Sequence, residues 1–590
     1  MTSLNKIITK LEKIKSYNTF IPAVWNDTSL KEKIKNVKFP DYFIDKLNEI
    51  NNTNINYSNA PNPTIYNLFV RLTTAFNHSQ TGQIKNEKDK FKETGTLLKT
   101  IALLPYIKNL GTDILYLLPI TSIGRDGKKG DLGSPYSINN PYSIDENICE
   151  PLLEMPVEEQ FEALIEAAHR LGIKVVCEFI FRTASKDSKL AIEHPEWFYW
   201  IKKECEANFR SPIFDEKILK KIKEQAKRKD YNNLPEPNLE YINQFTDTPQ
   251  KVELINGKLV GYCDGEEVVI PSAFADWPPD DIQPPWSDVT YLKIYDNPKY
   301  NYIAYNTIRM YDNELATPRW EHTPLWRHIE NIIPFYQNKF GIDGVMIDMG
   351  HSLPDKLLKR IISKARRINK DFIFWEENFI LSEKSKKEGF DCVVGTLSFD
   401  EHNPDKMRHF ISKVHNLPIK CFATSETHNT PRTASRKGGA ELSKIIYLTN
   451  KILPLPTFIH SGFELCETMP VNTGLGFEDI DTSKLNADVL PLFSTSELNW
   501  KNENNIIDFI IETNKVLEPH LKNNYTLKTI HTENNSVVAF EVIGNNKLLI
   551  IANYDHPSTK IIDAESQECK MEFLEVHCRL KDIFIKKILF

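Results

Sequence analysis

The sequence predicts an α/β fold built on a closed (β/α)8 barrel, with a subdomain inserted after strand 3 and a C-terminal antiparallel β-domain. Three observations carry this. Eight short apolar runs alternate with amphipathic helical stretches between residues 65 and 460. One interval, from 180 to 344, holds about 160 residues, far more than a crossover of a dozen or more requires. Past about Pro519 the chain turns to strand-like runs joined by Asn-rich turns.

The first sixty residues place Ile7, Ile8, Leu11 and Ile14 at helical spacing. Asn51 to Pro63, rich in Asn, Ser and Pro, reads as a linker. The candidate strands are Ile65–Thr74, Asp113–Pro119, Lys174–Ile180, Gly344–Met349, Phe372–Trp375, Cys392–Leu397, Ile419–Thr424 and Pro456–His460. Their near-continuous apolar character fits strands covered on both faces by helices, of which Val157–Leu171 is the clearest. Eight such units favour a closed barrel over an open sheet. The long interval implies a subdomain over about 183–300. It contains EHPEWFYW at 193–200 and ADWPPDDIQPPW at 275–286, whose Trp residues either line a functional loop or pack the subdomain. Thr529–Ile543 and Lys547–Asn553 read as strands. The division is a helical N-terminal extension over 1–60, a barrel over 61–518 and a β-domain over 519–590.

Composition bounds the function. With 590 residues, 41% hydrophobic and 26% charged, the chain reads as globular and multi-domain. A net charge of −7 argues against nucleic acid. No run of 18 apolar residues occurs, and the N-terminus lacks an apolar h-region, so neither a membrane span nor a signal peptide is expected. Nine scattered cysteines without a CxxC pair suit reduced thiols in a cytoplasmic protein. The lysine-rich run at 217–229 reads as a solvated helix face. No cofactor motif is present.

The chemistry sits at strand ends. GIDGVMIDMGH puts Asp348 at the end of strand 4, and FIFWEEN puts Glu376 and Glu377 at the end of strand 5. Two acids on neighbouring strand ends suit retaining glycoside chemistry, one attacking the anomeric carbon and one protonating the leaving oxygen. Read from spacing alone, both acids could equally be solvated strand-end residues.

Four segments in order, GIKVVCEFIFRTAS (172–185), GIDGVMIDMGH (341–351), FIFWEEN (372–378) and SETHNTPR (425–432), resemble the four signature regions of the α-amylase superfamily. GSPYSINNPYSID (133–145), FRTASKDS, NTIRMYD (306–312), His351 and ETMPVNTGLG (467–476) look most like its bacterial maltosyltransferase branch. The resemblance implies Asp348 as nucleophile and Glu376 as acid/base, with Glu377 in that role if the register slips by one. It implies that Tyr136 stacks under the innermost sugar, that His428 hydrogen-bonds it, and that His351 lies toward the acceptor. Arg182 and Arg432 join the sugar-binding group. Arg182 replaces a calcium-binding Asn of many amylases, so no metal is expected there. Asp145 and Glu178 read as structural.

Two positions depart from the family. Met346 stands where an Arg two residues before the nucleophile would ionise it, and Asn429 where an Asp would stabilise developing positive charge. Arg309 or Arg432 could replace the lost cation and Glu426 the lost anion, although Glu426 reads more plainly as a supporting acid. Three functions stay open: transfer of maltosyl units between α-1,4-glucans, hydrolysis of α-glucans, and glucan binding by a catalytically impaired barrel. The partner is an α-1,4-glucan or malto-oligosaccharide; self-association into a homo-oligomer is left open.

Overall fold

In the computed structural model the described residues are 2–26, 32–58, 60–85, 91–228, 230–274, 286–305, 314–473, 493–522, 524–532, 534–544 and 547–555, with the backbone of 558–563 and 587–588. The run 275–285, the motif 306–312 with Arg309, the stretch 474–476 of ETMPVNTGLG, and Cys569 and Cys578 lie outside them.

Eight parallel strands form one sheet: β1 (Thr64–Leu68), β2 (Ile114–Leu117), β3 (Lys174–Phe179), β4 (Gly344–Ile347), β5 (Ile373–Glu376), β6 (Cys392–Val393), β7 (Lys420–Cys421) and β8 (Thr457–His460). β8 pairs with β1, and the ring closes where Ala423 bridges Thr457 in parallel. Ala423 N–H donates to Pro456 O at 2.9 Å and Phe458 N–H donates to Ala423 O at 2.9 Å. The expected (β/α)8 barrel is therefore observed, and all eight expected strands are found. Seven are shorter than expected, β1, β6 and β7 the most. Val70–Thr73 after β1 coils into a helical turn, as does Leu397–Asp400 after β6, and β7 keeps two paired residues plus the bridge at Ala423.

The helices that cover the barrel follow from amphipathic patterning. α1 (Ser3–Leu11) buries Leu4, Ile7, Ile8 and Leu11. It docks on α2 (Val157–Arg170) through Ser3 to Glu162, Leu4 N–H to Glu166 at 3.0 Å and Lys6 to Glu159 at 2.9 Å. α3 (Asp355–Ile368) likewise buries Leu357, Leu358, Ile361, Ile362 and Ala365 beside β4 and β5. The N-terminal sixty residues are not all helical: Tyr17–Pro22 and Ile34–Phe39 pair as an antiparallel hairpin.

Between β3 and β4 the chain builds a five-stranded antiparallel sheet from Trp200–Lys202, Phe245–Thr246, Lys251–Ile255, Lys258–Cys263 and Glu266–Val269. Trp197 and Trp200 are buried; Trp197 stacks on His194 at 3.9 Å and Trp200 Nε1–H donates to Pro195 O at 2.8 Å. These two side chains pack the subdomain. Beyond Ile507–Leu521 the chain forms a second antiparallel sheet from Thr526–Ile530, Val537–Ile543, Lys547–Asn553, Ser558–Asp563 and Lys587–Ile588.

Inside the barrel, Ile65, Tyr116, Val176, Met346, Trp375, Phe422 and Phe458 form one cluster. Tyr116 and Phe422 meet the Trp375 ring edge-on, at 5.7 Å and 5.1 Å. The interior is thus a packed core, and a site can open only at the strand ends.

Candidate active site

Alternation along β4 and β5 decides which acids meet. Met346 pairs with Trp375, and both lie in the interior cluster. Two residues further, the same face carries Asp348 and Glu377. The intervening Glu376 pairs with Ile347 and joins the outer face, fully buried behind Gly350, where an added Cβ would meet Glu376 Cγ at 3.1 Å. The expected partnership of Asp348 with Glu376 is corrected by one residue. The carboxyl that faces Asp348 is Glu377, and the reason is the two-residue period of the strand.

Asp348 and Glu377 are hydrogen-bonded to each other. Glu377 Oε2 also accepts from Met349 N–H at 3.1 Å, which Met349 presents from a left-handed backbone with φ 43°. That conformation is uncommon for a side chain of this kind and marks strain held at the site. Burial raises Asp348 to about 6; the charge of Glu178 adds to the rise, and Arg182 opposes it. Burial, then the charge of Asp348, raises Glu377 well above the usual carboxylate range. Two adjacent carboxyls resist double ionisation, so as pH rises Asp348 loses its proton first while Glu377 keeps its own.

Below the pair lies a polar floor. Tyr116 O–H donates to Glu178 Oε2 at 2.6 Å, and Tyr136 also hydrogen-bonds Glu178. Burial and then the charge of Glu377 push Glu178 up to about 8. The Tyr136 hydroxyl stands 2.7 Å from His428 Nε2, with the rings stacked at 6.0 Å. Burial lowers His428 to about 4, so its imidazole is neutral at pH 7 and suited to hydrogen-bonding hydroxyls.

Residues 43–247 match the family described as Alpha amylase, catalytic domain. The match covers about a third of the chain, and the likeness to α-amylases is one of fold. A noncanonic maltogenic α-amylase from Thermotoga neapolitana superposes with a TM-score of 0.52 at 17% identity, over 86% of this chain and 89% of that one. An α-1,4-glucan:maltose-1-phosphate maltosyltransferase of Picrophilus torridus is 22% identical over 485 residues, 79% of this chain and 59% of the relative. One so named from Cereibacter sphaeroides is 36% identical over 126 residues, 20% of this chain and 18% of the relative. The chain thus spans from under a fifth to about three fifths of the length of these curated relatives.

The other residues expected at the site fall into three groups. Tyr136, His428 and Asn429 stand at the strand ends with the pair. Asn429 Oδ1 accepts from Thr473 Oγ1 at 3.0 Å, and its N–H donates to Thr427 Oγ1 at 3.1 Å. Arg182 also lies here, 6% exposed, its guanidinium over the rings of Trp286 at 5.2 Å and Tyr291 at 5.9 Å. His351 is exposed on the turn Gly350–Ser352 after β4.

Arg432 is placed otherwise. It is 1% exposed, donating to Glu426 at 2.8 Å, Ser461 O at 2.9 Å and Met469 O at 3.1 Å. Glu426 in turn accepts from Thr433 N–H at 2.6 Å. The two form a buried ion pair tying the β7 and β8 loops, and neither replaces the charge expected at 346 or 429. A cavity of about 390 Å³ lined by Arg432, Glu467, Met469 and Trp500 adjoins this clamp, away from the acid pair. Asp145 pairs with buried Arg71 at 3.5 Å.

Among the described residues no group of three or more His, Cys, Asp or Glu side chains is placed to hold a metal ion, and no helix is long and apolar enough to cross a membrane. Sequence reasoning missed Tyr116 and Thr473. The first had a signal: a lone hydroxyl in the apolar run ILYLLP (114–119) needs a buried partner.

Proposed function

We propose that the chain is a retaining α-glucan-acting enzyme that moves maltosyl units between α-1,4-glucans. The single observation behind this reading is the pair of interior carboxyls, Asp348 and Glu377, at adjoining strand ends, both held above the usual carboxylate range but to unequal extents. Asp348, as carboxylate, attacks the anomeric carbon. Glu377 gives its proton to the departing oxygen as that C–O bond breaks. An acceptor hydroxyl then attacks the glycosyl–Asp348 ester, Glu377 takes the hydroxyl proton, and the Asp348 carboxylate is released.

Working pairs of this kind stand about 5–5.5 Å apart. Their direct hydrogen bond here therefore has to open when a sugar enters. Tyr136 stacks against that sugar and His428 hydrogen-bonds it. The names of the curated relatives add a donor, maltose 1-phosphate, whose phosphate is the leaving group.

Met346 and Asn429 favour a second reading, a glucan-binding barrel with little or no turnover. By analogy with the loss of a single stabilising donor, each change costs roughly 10²–10³ in rate. Incubation with maltotetraose, with and without maltose 1-phosphate, separates the readings. Products differing from maltotetraose by two glucose units support transfer, and phosphate release in the second mixture identifies the donor. A rise in reducing ends indicates hydrolysis. Binding without turnover leaves the second reading standing.

A further inference from the structure

The barrel is missing the strand-4 arginine, yet Asp348 does not lack a cation. We propose that Arg182, from the loop after β3, takes over the work of an arginine at position 346 and positions and ionises Asp348 from the neighbouring strand. This rests on the reading of Asp348 as nucleophile.

Several observations converge. Position 346 holds a thioether packed among Trp375 and Val176 in the interior cluster, which can fill space but offers no charge. β3 and β4 are hydrogen-bonded neighbours, and Asp348 N–H donates to Phe179 O at 3.0 Å, three residues before Arg182. Arg182 Nη2 lies 2.6 Å from Met349 Sδ, the residue directly after Asp348. Its reach is fixed by the Trp286 and Tyr291 rings and by its backbone carbonyl, which accepts from Leu292 N–H at 3.0 Å. A guanidinium held on aromatic faces keeps its charge and loses little freedom in pointing at a carboxylate. Its charge acts on both members of the pair, lowering Asp348 and Glu377 against burial.

Among the described residues the other candidate for this work is engaged elsewhere. Arg432 is spent on Glu426 and two carbonyls. Arg309 lies outside the described residues. Among the described residues, the groups around Asp348 are Glu178 on β3, Arg182 after it, Glu377 on β5, Tyr116 on β2 and Tyr136 after β2; of these Arg182 alone is a cation. Arg182→Gln keeps hydrogen-bonding capacity but loses charge. Arg182→Lys keeps charge but loses the planar fork.

The test uses the full chain and compares wild type with Arg182→Gln, Arg182→Lys and the double variant Arg182→Gln with Met346→Arg. Carboxyl C=O infrared titration, with Asp348→Asn subtracted to isolate Asp348, reads ionisation without turnover. Arg182→Gln should move the Asp348 titration upward, and Arg182→Lys or the added Met346→Arg should move it back. In a maltotetraose transfer assay Arg182→Gln should lower kcat by about 10²-fold with KM little changed, and shift the acidic limb of the pH profile upward.

An Asp348 titration unmoved by Arg182→Gln overturns the proposal whatever the activity. A titration that moves in a wild-type protein that transfers nothing leaves the electrostatic role standing and removes the transferase reading. Should Arg182→Gln fail to fold, the Arg182→Lys variant decides: titration at the wild-type position supports a charge role, whereas a shift upward despite the retained charge overturns it.

Discussion

Substituting the two adjacent glutamates separately, as Glu377→Gln and Glu376→Gln, tests the register of the site. Glu377 faces Asp348; Glu376 lies on the opposite side of the strand. A general acid must come within about 2.6–3.2 Å of the oxygen it protonates, and a side chain on the outer face of the barrel cannot. General acid catalysis contributes about 10²–10⁴-fold, or about 2.7–5.4 kcal/mol at 1.36 kcal/mol per tenfold. Glu377→Gln keeps a carbonyl oxygen for Met349 N–H, so the strained turn survives and proton donation is what is lost. The rate on maltotetraose should fall within that range. With a nitrophenyl maltoside, whose leaving group needs little protonation, the deficit should shrink to a few-fold for glycosylation. Glu376→Gln should leave both rates within tenfold and cost stability instead, about 1–3 kcal/mol for disturbing a buried polar group. Activity retained in the Glu377→Gln variant and lost in Glu376→Gln refutes the register argument.

Three further outcomes are expected. A plot of kcat/KM against pH should be bell-shaped. Its acidic limb lies near 6, where Asp348 must lose its proton, and its basic limb lies well above the ordinary carboxylate range, where Glu377 loses the proton it must donate; activity still rising at pH 4 and falling by pH 6 would contradict it. Arg432→Ala strands Glu426 as a buried uncompensated charge, so a denaturation midpoint should report about 3–5 kcal/mol of lost stability, with KM unchanged in the protein that remains folded. Tyr136→Phe removes the hydroxyl shared by His428 and Glu178, at about 0.5–1.5 kcal/mol. It should raise KM a few-fold while keeping the ring that stacks on sugar.

The barrel was legible because parallel strands covered on both faces are continuous apolar runs, and all eight stand out. That same property hid the facing of their ends. In FIFWEEN neither side of the strand is polar, so hydrophobicity does not say whether Glu376 or Glu377 looks inward. The answer lay in pairing: Met346 opposite Trp375 places Asp348 opposite Glu377. Strand ends were over-extended where the chain stays apolar but coils, as at Val70–Thr73 and Leu397–Asp400. Arg432 looked like a binding residue because its motif did; its partners, Ser461 and Met469, come from the β8 end of the chain and no local pattern announces them.

The charge balance of the pocket bears most directly on whether the barrel works. Taken residue by residue, Met346 and Asn429 remove one cation and one anion from the strand ends, and each loss alone would impair a retaining catalyst. Taken as a pocket, the inventory is closer to whole. Arg182 acts on the acid pair from the loop after β3, and Glu178, on β3 itself, is a third carboxyl whose charge interacts with both Asp348 and Glu377. They are not equal substitutes. Arg182 opposes the burial of Asp348, whereas Glu178, pushed up to about 8, is mostly protonated at pH 7 and supplies little negative charge to a developing oxocarbenium ion. The anion lost at 429 is therefore the deeper deficit. Asn429→Asp should raise kcat substantially, by roughly 10²-fold if a single stabilising group is restored, while Met346→Arg in the presence of Arg182 should add little. The reverse ranking, a large gain from Met346→Arg and none from Asn429→Asp, would mean that Arg182 does not reach the carboxylate and that Thr473, which already donates to Asn429, holds that side chain away from the sugar.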